Sequence, residues 1–496
     1  AAYAAAVCPR GTTTVHCDPH ELANVAGLAG VRYAIDASRN LPVEFLVQAP
    51  SCVPPVPGRE VSGADLGPSE IAEMLSWPEV VGLAEVMDMR GVLALDERMS
   101  GIIEAGLASG KLLNGHAAGL ADGDLQAYAS SGVTSDHELM AGGDFLERVR
   151  AGMTVELRGA FESLLPDAVE AIRAFPHLPV HVVAATDDLF ASTLLRHGGV
   201  DHLLRRLVAT GLDPKVAVRM ATYNAAYRLG RWDLGLVAPG RLANVVVLSD
   251  LETVTVHRVF SRGVEVAVDG RLLADVAEHP NSPPLDTVHL GPMSDDDFAF
   301  SVNAHGGSAT VRVVRGVVYT EWDERTVACT GGNLVLPDDC MYQAVIHRHG
   351  RRSEAPGVGV VSGWGSWRGA VATTVSHDSH NLVVFGREPA DMAAAANAVI
   401  ASGGGVAVAA GGKVLASVEL PIGGLLSAAA PDSVAADQER VERAAVSIGM
   451  QPSSLSQPLF QVMTATLPCL PGPHVTDLGI ADGTSGELLG SIPIVG

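Results

Sequence analysis

Seven short apolar runs, each closed by a polar motif and followed by an amphipathic segment, fill the first part of the chain. That alternation is the signature of parallel β/α units, because each strand buries both faces and each helix covers one. The predicted strands are Thr12–Val15, Val43–Gln48, Val80–Val86, Lys111–Asn114, Val133–Ser135, Met153–Leu157 and Val180–Ala184. SEIAEMLSW, RMSGIIEAGLASG, DLQAYASSG and VDHLLRRLVATG read as helices between them. The α/β fold expected is a (β/α)8-type TIM barrel over residues 1–232. It needs one more strand, and AAYAAAVCPRG reads as the tail of a helix, so the first strand is expected to precede Ala1. An open doubly wound sheet is the alternative, but no glycine-rich phosphate loop follows any strand.

The pattern changes near Asp213. DPKVAVRMATYN reads as a capped helix with Asp213 at the N-cap and Pro214 at its first position. A small β-sandwich module is expected over 233–280, where β runs flank the Pro239-Gly240 turn. A Pro/Asp/Ser-rich linker follows over 281–300, and then a C-terminal α+β domain over 301–496. The net charge of -23 argues against nucleic acid or an anionic membrane as partner. No apolar run is long enough to span a bilayer; the Ala/Gly-rich stretch from Met392 to Val418 is interrupted by Asn397 and Lys413. Six scattered cysteines without a CxxC pair suggest reduced thiols, and hence a cytoplasmic protein.

In such a barrel the loops at the strand ends converge on one mouth, so the polar residues there test for function. The first predicted strand runs into HCDPHE, with Asp18, His20 and Glu21; GLAEVM sets Glu85 in an apolar run. NGHAAG offers His116, TSDHE offers Asp136, His137 and Glu138, and AATDD offers Asp187 and Asp188. Singly these are weak: a lone histidine after a strand is most often a hydrogen-bonded structural residue. Asp18 before Pro19 is equally an ordinary helix N-cap. Glu85 is harder to dismiss, since a buried carboxylate must be paired or bind metal. Together the strand ends supply the imidazole and carboxylate set of a divalent metal site.

The motifs GTTTVHCDPHE, NVAGLAGVRY, PSCVPPVP, VVGLAEVM, GHAAGL, SSGVTSDHE and ATDD resemble those of the adenine deaminases, members of the amidohydrolase superfamily. VIHRHG, VSHDSHN and LPIGGLLS extend the resemblance to an adenine-deaminase-type C-terminal domain. It implies hydrolytic deamination of adenine to hypoxanthine and ammonia, in purine salvage, by a hydroxide held between two divalent metal ions. Mn or Fe are the metals implied, with Zn also compatible. By the same resemblance Glu85 bridges the ions, His116 and His137 ligate the second, and Asp187 ligates the first and shuttles protons, with His137 or Glu138 assisting. The remaining ligands, a His-x-His pair at the end of the first barrel strand, do not precede the predicted strands. Asp18, His20, Glu21 and Arg158 are candidate substrate contacts. His377, Asp378 and His380 form a second cluster, expected to complete the pocket or a further metal site. LRGAFE departs from an expected Arg-Glu-Gly-Ser-like motif, which leaves substrate contacts near Arg158 open, and Asn244 replaces a turn aspartate.

The expected partner is a purine base, and the expected assembly a homodimer. A zinc cytidine-type deaminase is excluded, because the Pro468-Cys469 pair does not continue as PCxxC. Glu85 stands where a cyclic-amide hydrolase would carry a carboxylated lysine. The alternatives kept are deamination of an N6-substituted adenine, another amidohydrolase activity, or a catalytically dead purine-binding relative.

Overall fold

The computed structural model describes all residues except 160–161, 277–281, 303–306, 452–458 and 496. Ala160 and Phe161 of LRGAFE and residue 281, the first of the Pro/Asp/Ser-rich linker, thus lie outside the described residues. The chain divides into two units. The first comprises 1–19, 32–51 and 67–282; the second comprises 20–31, 52–66 and 283–496. Two segments of the region expected to be barrel, His20–Val31 and Cys52–Leu66, therefore group with the second unit.

The first unit is built on seven parallel strands: β1 Thr14–Cys17, β2 Glu44–Ala49, β3 Val80–Val86, β4 Leu112–Gly115, β5 Ser135–Asp136, β6 Thr154–Arg158 and β7 Val182–Ala185. They pair in chain order as β1-β2-β3-β4 and β5-β6-β7. The N–H of Thr134 donates to the carbonyl of Leu113 at 3.1 Å, carrying the ladder from β4 toward β5. This is an α/β half-barrel of parallel strands; closure into a full TIM barrel is not seen among the described residues. The strands' apolar side chains pack under the intervening helices. One such core joins Val155, Leu157 and Val182 to Leu203, Leu204 and Leu207.

Asp213 caps the helix Pro214–Met220 as expected, accepting from the Lys215 N–H at 2.8 Å. The module after it is a single antiparallel sheet in the described residues: β8 Val245–Asp250, β9 Thr255–Ser261, β10 Val264–Val268 and β11 Arg271–Leu272.

The second unit centres on a ten-stranded, mostly antiparallel sheet. Its strands are β12 Ser308–Gly316, β13 Thr320–Thr330, β14 Asn333–Val335, β15 Cys340–Ile346, β16 Gly357–Ser362, β17 Ala370–Thr373, β18 Leu382–Gly386, β19 Gly405–Ala410 and β20 Lys413–Glu419, with Ile494–Val495 added beside β12. The helix Pro389–Ala401 lays Met392, Ala396 and Val399 onto the sheet's core. β15, β16, β17 and β18 are buried along their whole length, which explains their mainly apolar sequences. No helix among the described residues is long and apolar enough to cross a membrane.

Removing the Asp213 cap leaves a helix N–H unpaired, so Asp213→Ala should lose about 1 kcal/mol while Asp213→Asn stays close to the parent. Urea denaturation followed by circular dichroism checks the order of the three proteins.

Candidate metal centre

Three strand ends of the first unit bring Glu85, His116 and His137 together. Glu85 lies on β3, His116 follows β4 and His137 follows β5. Glu85 Oε2 is 3.0 Å from His116 Nδ1 and 3.1 Å from His137 Nε2. The two rings meet edge to face with centroids 5.3 Å apart. Ligand atoms of all three residues fall within 4.8 Å of one another. Burial opposes a charge on Glu85, yet His137 and His116 hold its carboxyl well below the ordinary carboxylate range. Burial likewise disfavours a charged His137, but the Glu85 carboxylate outweighs it and lifts the imidazole to about 9. A metal ion competes with that proton, because imidazole ligates only when neutral. The donor set fits a divalent transition metal: one carboxylate, two imidazoles, and a buried His116 Nε2 with no hydrogen-bond partner.

A fully buried ion pair holds these strand ends in place. Arg148, on the helix Gly142–Arg150, donates from Nε to Asp136 Oδ2 at 2.9 Å, with both side chains inaccessible to solvent. Asp136 Oδ1 accepts the N–H of Ala117 and the N–H of Glu138, each at 2.9 Å. Arg148 also donates to the Ala117 carbonyl at 2.8 Å. The pair therefore grips the residue after His116 and the residue after His137. Tyr128 adds a third anchor: its hydroxyl accepts from the His116 N–H at 3.0 Å and donates to the Val86 carbonyl at 2.6 Å. Ser51 donates to the carbonyl of Glu85 itself at 2.6 Å.

Arg158, at the end of β6, pairs with both Glu138 and Asp187. Asp187 is thus tied to Arg158 and is not one of the three converging donors. Its backbone adopts φ 55°, a left-handed conformation that aspartate tolerates better than most residues. Asp18 follows β1 in the first unit, whereas His20 and Glu21 belong to the second.

In the second unit His20 and His377 meet Asp378. Asp378 Oδ1 lies 2.9 Å from His377 Nδ1 and 3.5 Å from His20 Nε2. Glu21 lies 3.8 Å from His20. His380 instead turns to its own loop, where Nδ1 accepts the Ser376 N–H at 3.2 Å. The buried Glu60 carboxyl is pushed well up by burial and then by the charges of Asp378 and Asp477, against hydrogen bonding from Ser379 and Val56.

Sequence reasoning missed several polar residues of the half-barrel. Arg228 donates to Asn114 Oδ1 at 2.7 Å, and Asn114 bonds Gln48 and the Leu83 carbonyl. His16 on β1 is pushed down to about 3, by burial and then by Arg228. Gln48 and Asn114 sit at strand ends and could have been read there. Arg148 had a signal too: it lies three residues from Phe145, on the buried face of its helix.

Residues 1–266 match the Amidohydrolase family, and residues 317–487 match the Adenine deaminase C-terminal domain. The chain is 50% identical over 493 residues to adenine deaminase 2 of Rhizobium meliloti (strain 1021), covering 99% of this chain and 82% of that protein. It is 49% identical to adenine deaminase of Klebsiella pneumoniae (strain 342), covering 98% and 81%. With adenine deaminase of Nitratidesulfovibrio vulgaris (strain DP4) the identity is 39%, covering 97% and 83%.

Arg148→Ala leaves a buried carboxylate still served by two N–H donors and should cost ~3–5 kcal/mol. Asp136→Ala takes the acceptor from Arg148 Nε and from both N–H groups, while Glu147 and the Ala117 carbonyl still serve the other guanidinium nitrogens, so its loss should be larger by roughly 1–3 kcal/mol. Chemical denaturation measures both; a negligible loss in either variant contradicts the role given to the pair.

Proposed function

Since the chain belongs to the adenine deaminases of the amidohydrolase family, a metal-dependent group of hydrolases, we propose that it replaces the exocyclic amine of adenine with oxygen, giving hypoxanthine and ammonia. The observation that carries the site assignment is the convergence of Glu85, His116 and His137 from three separate strand ends. These residues would hold a divalent cation, Mn or Fe by preference and Zn as the alternative. Such a cation, when bound, lowers the pKa of a coordinated water toward ~7 and so supplies a nucleophile at neutral pH. Of the residues discussed, Asp187 is the one left for a second ion.

The chain's own groups manage the protons. Asp187 engages Arg158 through Oδ2, which leaves Oδ1 to take the proton of the attacking water and pass it to the departing amine. The C6–O bond forms first, turning C6 tetrahedral as the C6=N1 π bond opens; the protonated amine then leaves as ammonia when the C6–N bond breaks and the double bond at C6 is restored. Arg158 is a positioning residue: by pairing with Glu138 and Asp187 together it keeps two carboxylates at the same edge of the site. Substrate contacts by Asp18 and Arg158 belong to the same proposal, as do the domain limits, the cytoplasmic setting and the homodimer. Cysteines free of disulfides among the described residues suit a reducing compartment.

Ammonia release and hypoxanthine formation from adenine, followed with the metal-loaded protein, test this reading. Activity on adenine is expected; release of amine from N6-methyladenine but not from adenine would reassign the substrate, and release from neither would refute deamination. Asp187→Asn should lower kcat by roughly 10²–10⁴-fold while the Glu85, His116 and His137 centre keeps its own cation. Glu85→Gln should lower the cation content itself, as measured by elemental analysis.

A further inference from the structure

We propose that the second unit holds a divalent-cation site of its own, formed by His20, His377 and Asp378 with Glu60 beside them. It is separate in its residues from the Glu85 centre and does not depend on how that centre is read. Ligand atoms of His20, His377 and Asp378 all lie within 4.8 Å of one another. The three residues are 7%, 5% and 1% exposed, and Glu60 is 2% exposed. So deep a group of imidazoles and carboxyls is costly unless something compensates it.

The carboxylate of Asp378 is only half used. Oδ1 meets both imidazoles, while Oδ2 is buried and has no hydrogen-bond partner among the described residues. Asp477, the neighbouring acid, has its own compensation: Arg352 lies 2.9 Å from Oδ2 and the Val61 N–H donates to Oδ1 at 2.9 Å. Asp378 has imidazoles instead of a permanent cation. A divalent ion would take up the orphaned oxygen and balance the buried acids together.

The surrounding hydrogen bonds fix the donors before any ion arrives. Asn24 donates to the His20 and Cys52 carbonyls at 3.0 and 3.1 Å. The His377 N–H donates to the Met463 carbonyl at 2.7 Å, and Thr466 donates to the His377 carbonyl at 2.6 Å. Asn381 reaches the Val61 carbonyl at 3.0 Å, tying the HDSH loop to the segment that carries Glu60. A rigid frame of this kind is what a specific metal site requires. Two imidazoles with carboxylates suit Zn, Mn or Fe rather than Ca or Mg.

The test uses the full chain and Zn2+ as probe. Protein stripped with chelator is loaded with Zn2+, gel-filtered, and its zinc counted by mass spectrometry. Zinc retained by Glu85→Gln should exceed that retained by Glu85→Gln/Asp378→Asn by about one equivalent per chain. Zn2+ should also raise the thermal midpoint of Glu85→Gln by a few degrees, and not that of Glu85→Gln/His377→Gln. If the paired variants retain equal zinc and shift equally, the cluster is a hydrogen-bonded network and the proposal is wrong. Should Asp378→Asn fail to fold, His20→Gln carries the same comparison.

Discussion

The ion pair between Asp136 and Arg148 is the constraint on which the metal centre depends. Two buried charges gain little net stability from each other, because the loss of hydration nearly cancels their attraction. What this pair contributes is position. Asp136 spends its second oxygen on the N–H groups of Ala117 and Glu138, so the backbone beside His116 and the backbone beside His137 share one acceptor. The strand ends at β4 and β5 cannot separate without leaving the N–H and the carbonyl of Ala117 unpaired inside the protein.

With those ends fixed, Glu85, on the stretch of β3 where the register with β4 shifts between Leu83 and Val86, stands between the two imidazoles. The three then form a donor set whose charges oppose burial collectively, where none would be tolerated alone. Arg158 adds a second layer by gathering Glu138 and Asp187. In the reaction proposed, the first part would hold a cation that acidifies water and the second would carry a proton between that water and the leaving amine. These groups stand on separate strands of one half-barrel.

Much of this was readable in the amino-acid order, for identifiable reasons. All seven strands fall within two residues of their predicted starts because apolar runs bounded by polar motifs leave little freedom. Reading the strand ends also found Glu85, His116 and His137, since barrel geometry makes such residues neighbours whatever their spacing in the chain. Arg148 was harder, because an arginine within an amphipathic helix looks solvated until its register with Phe145 is checked. Asp187 illustrates a different limit: its place just after β7 was foreseen, but its pairing with Arg158 depends on side-chain rotamers that no pattern reveals. Glu60 and Asp477 lie far apart in sequence and are brought near Asp378 only by folding of the second unit. The grouping of His20–Val31 with that unit has no compositional mark at all.

The central claim is that Glu85, His116 and His137 share one cation. Anomalous diffraction at the manganese edge, from crystals grown with Mn2+, tests it most directly. The account predicts a peak within about 2.0–2.3 Å of a Glu85 oxygen and of one nitrogen on each histidine. Peaks elsewhere, with none among these three side chains, would contradict it.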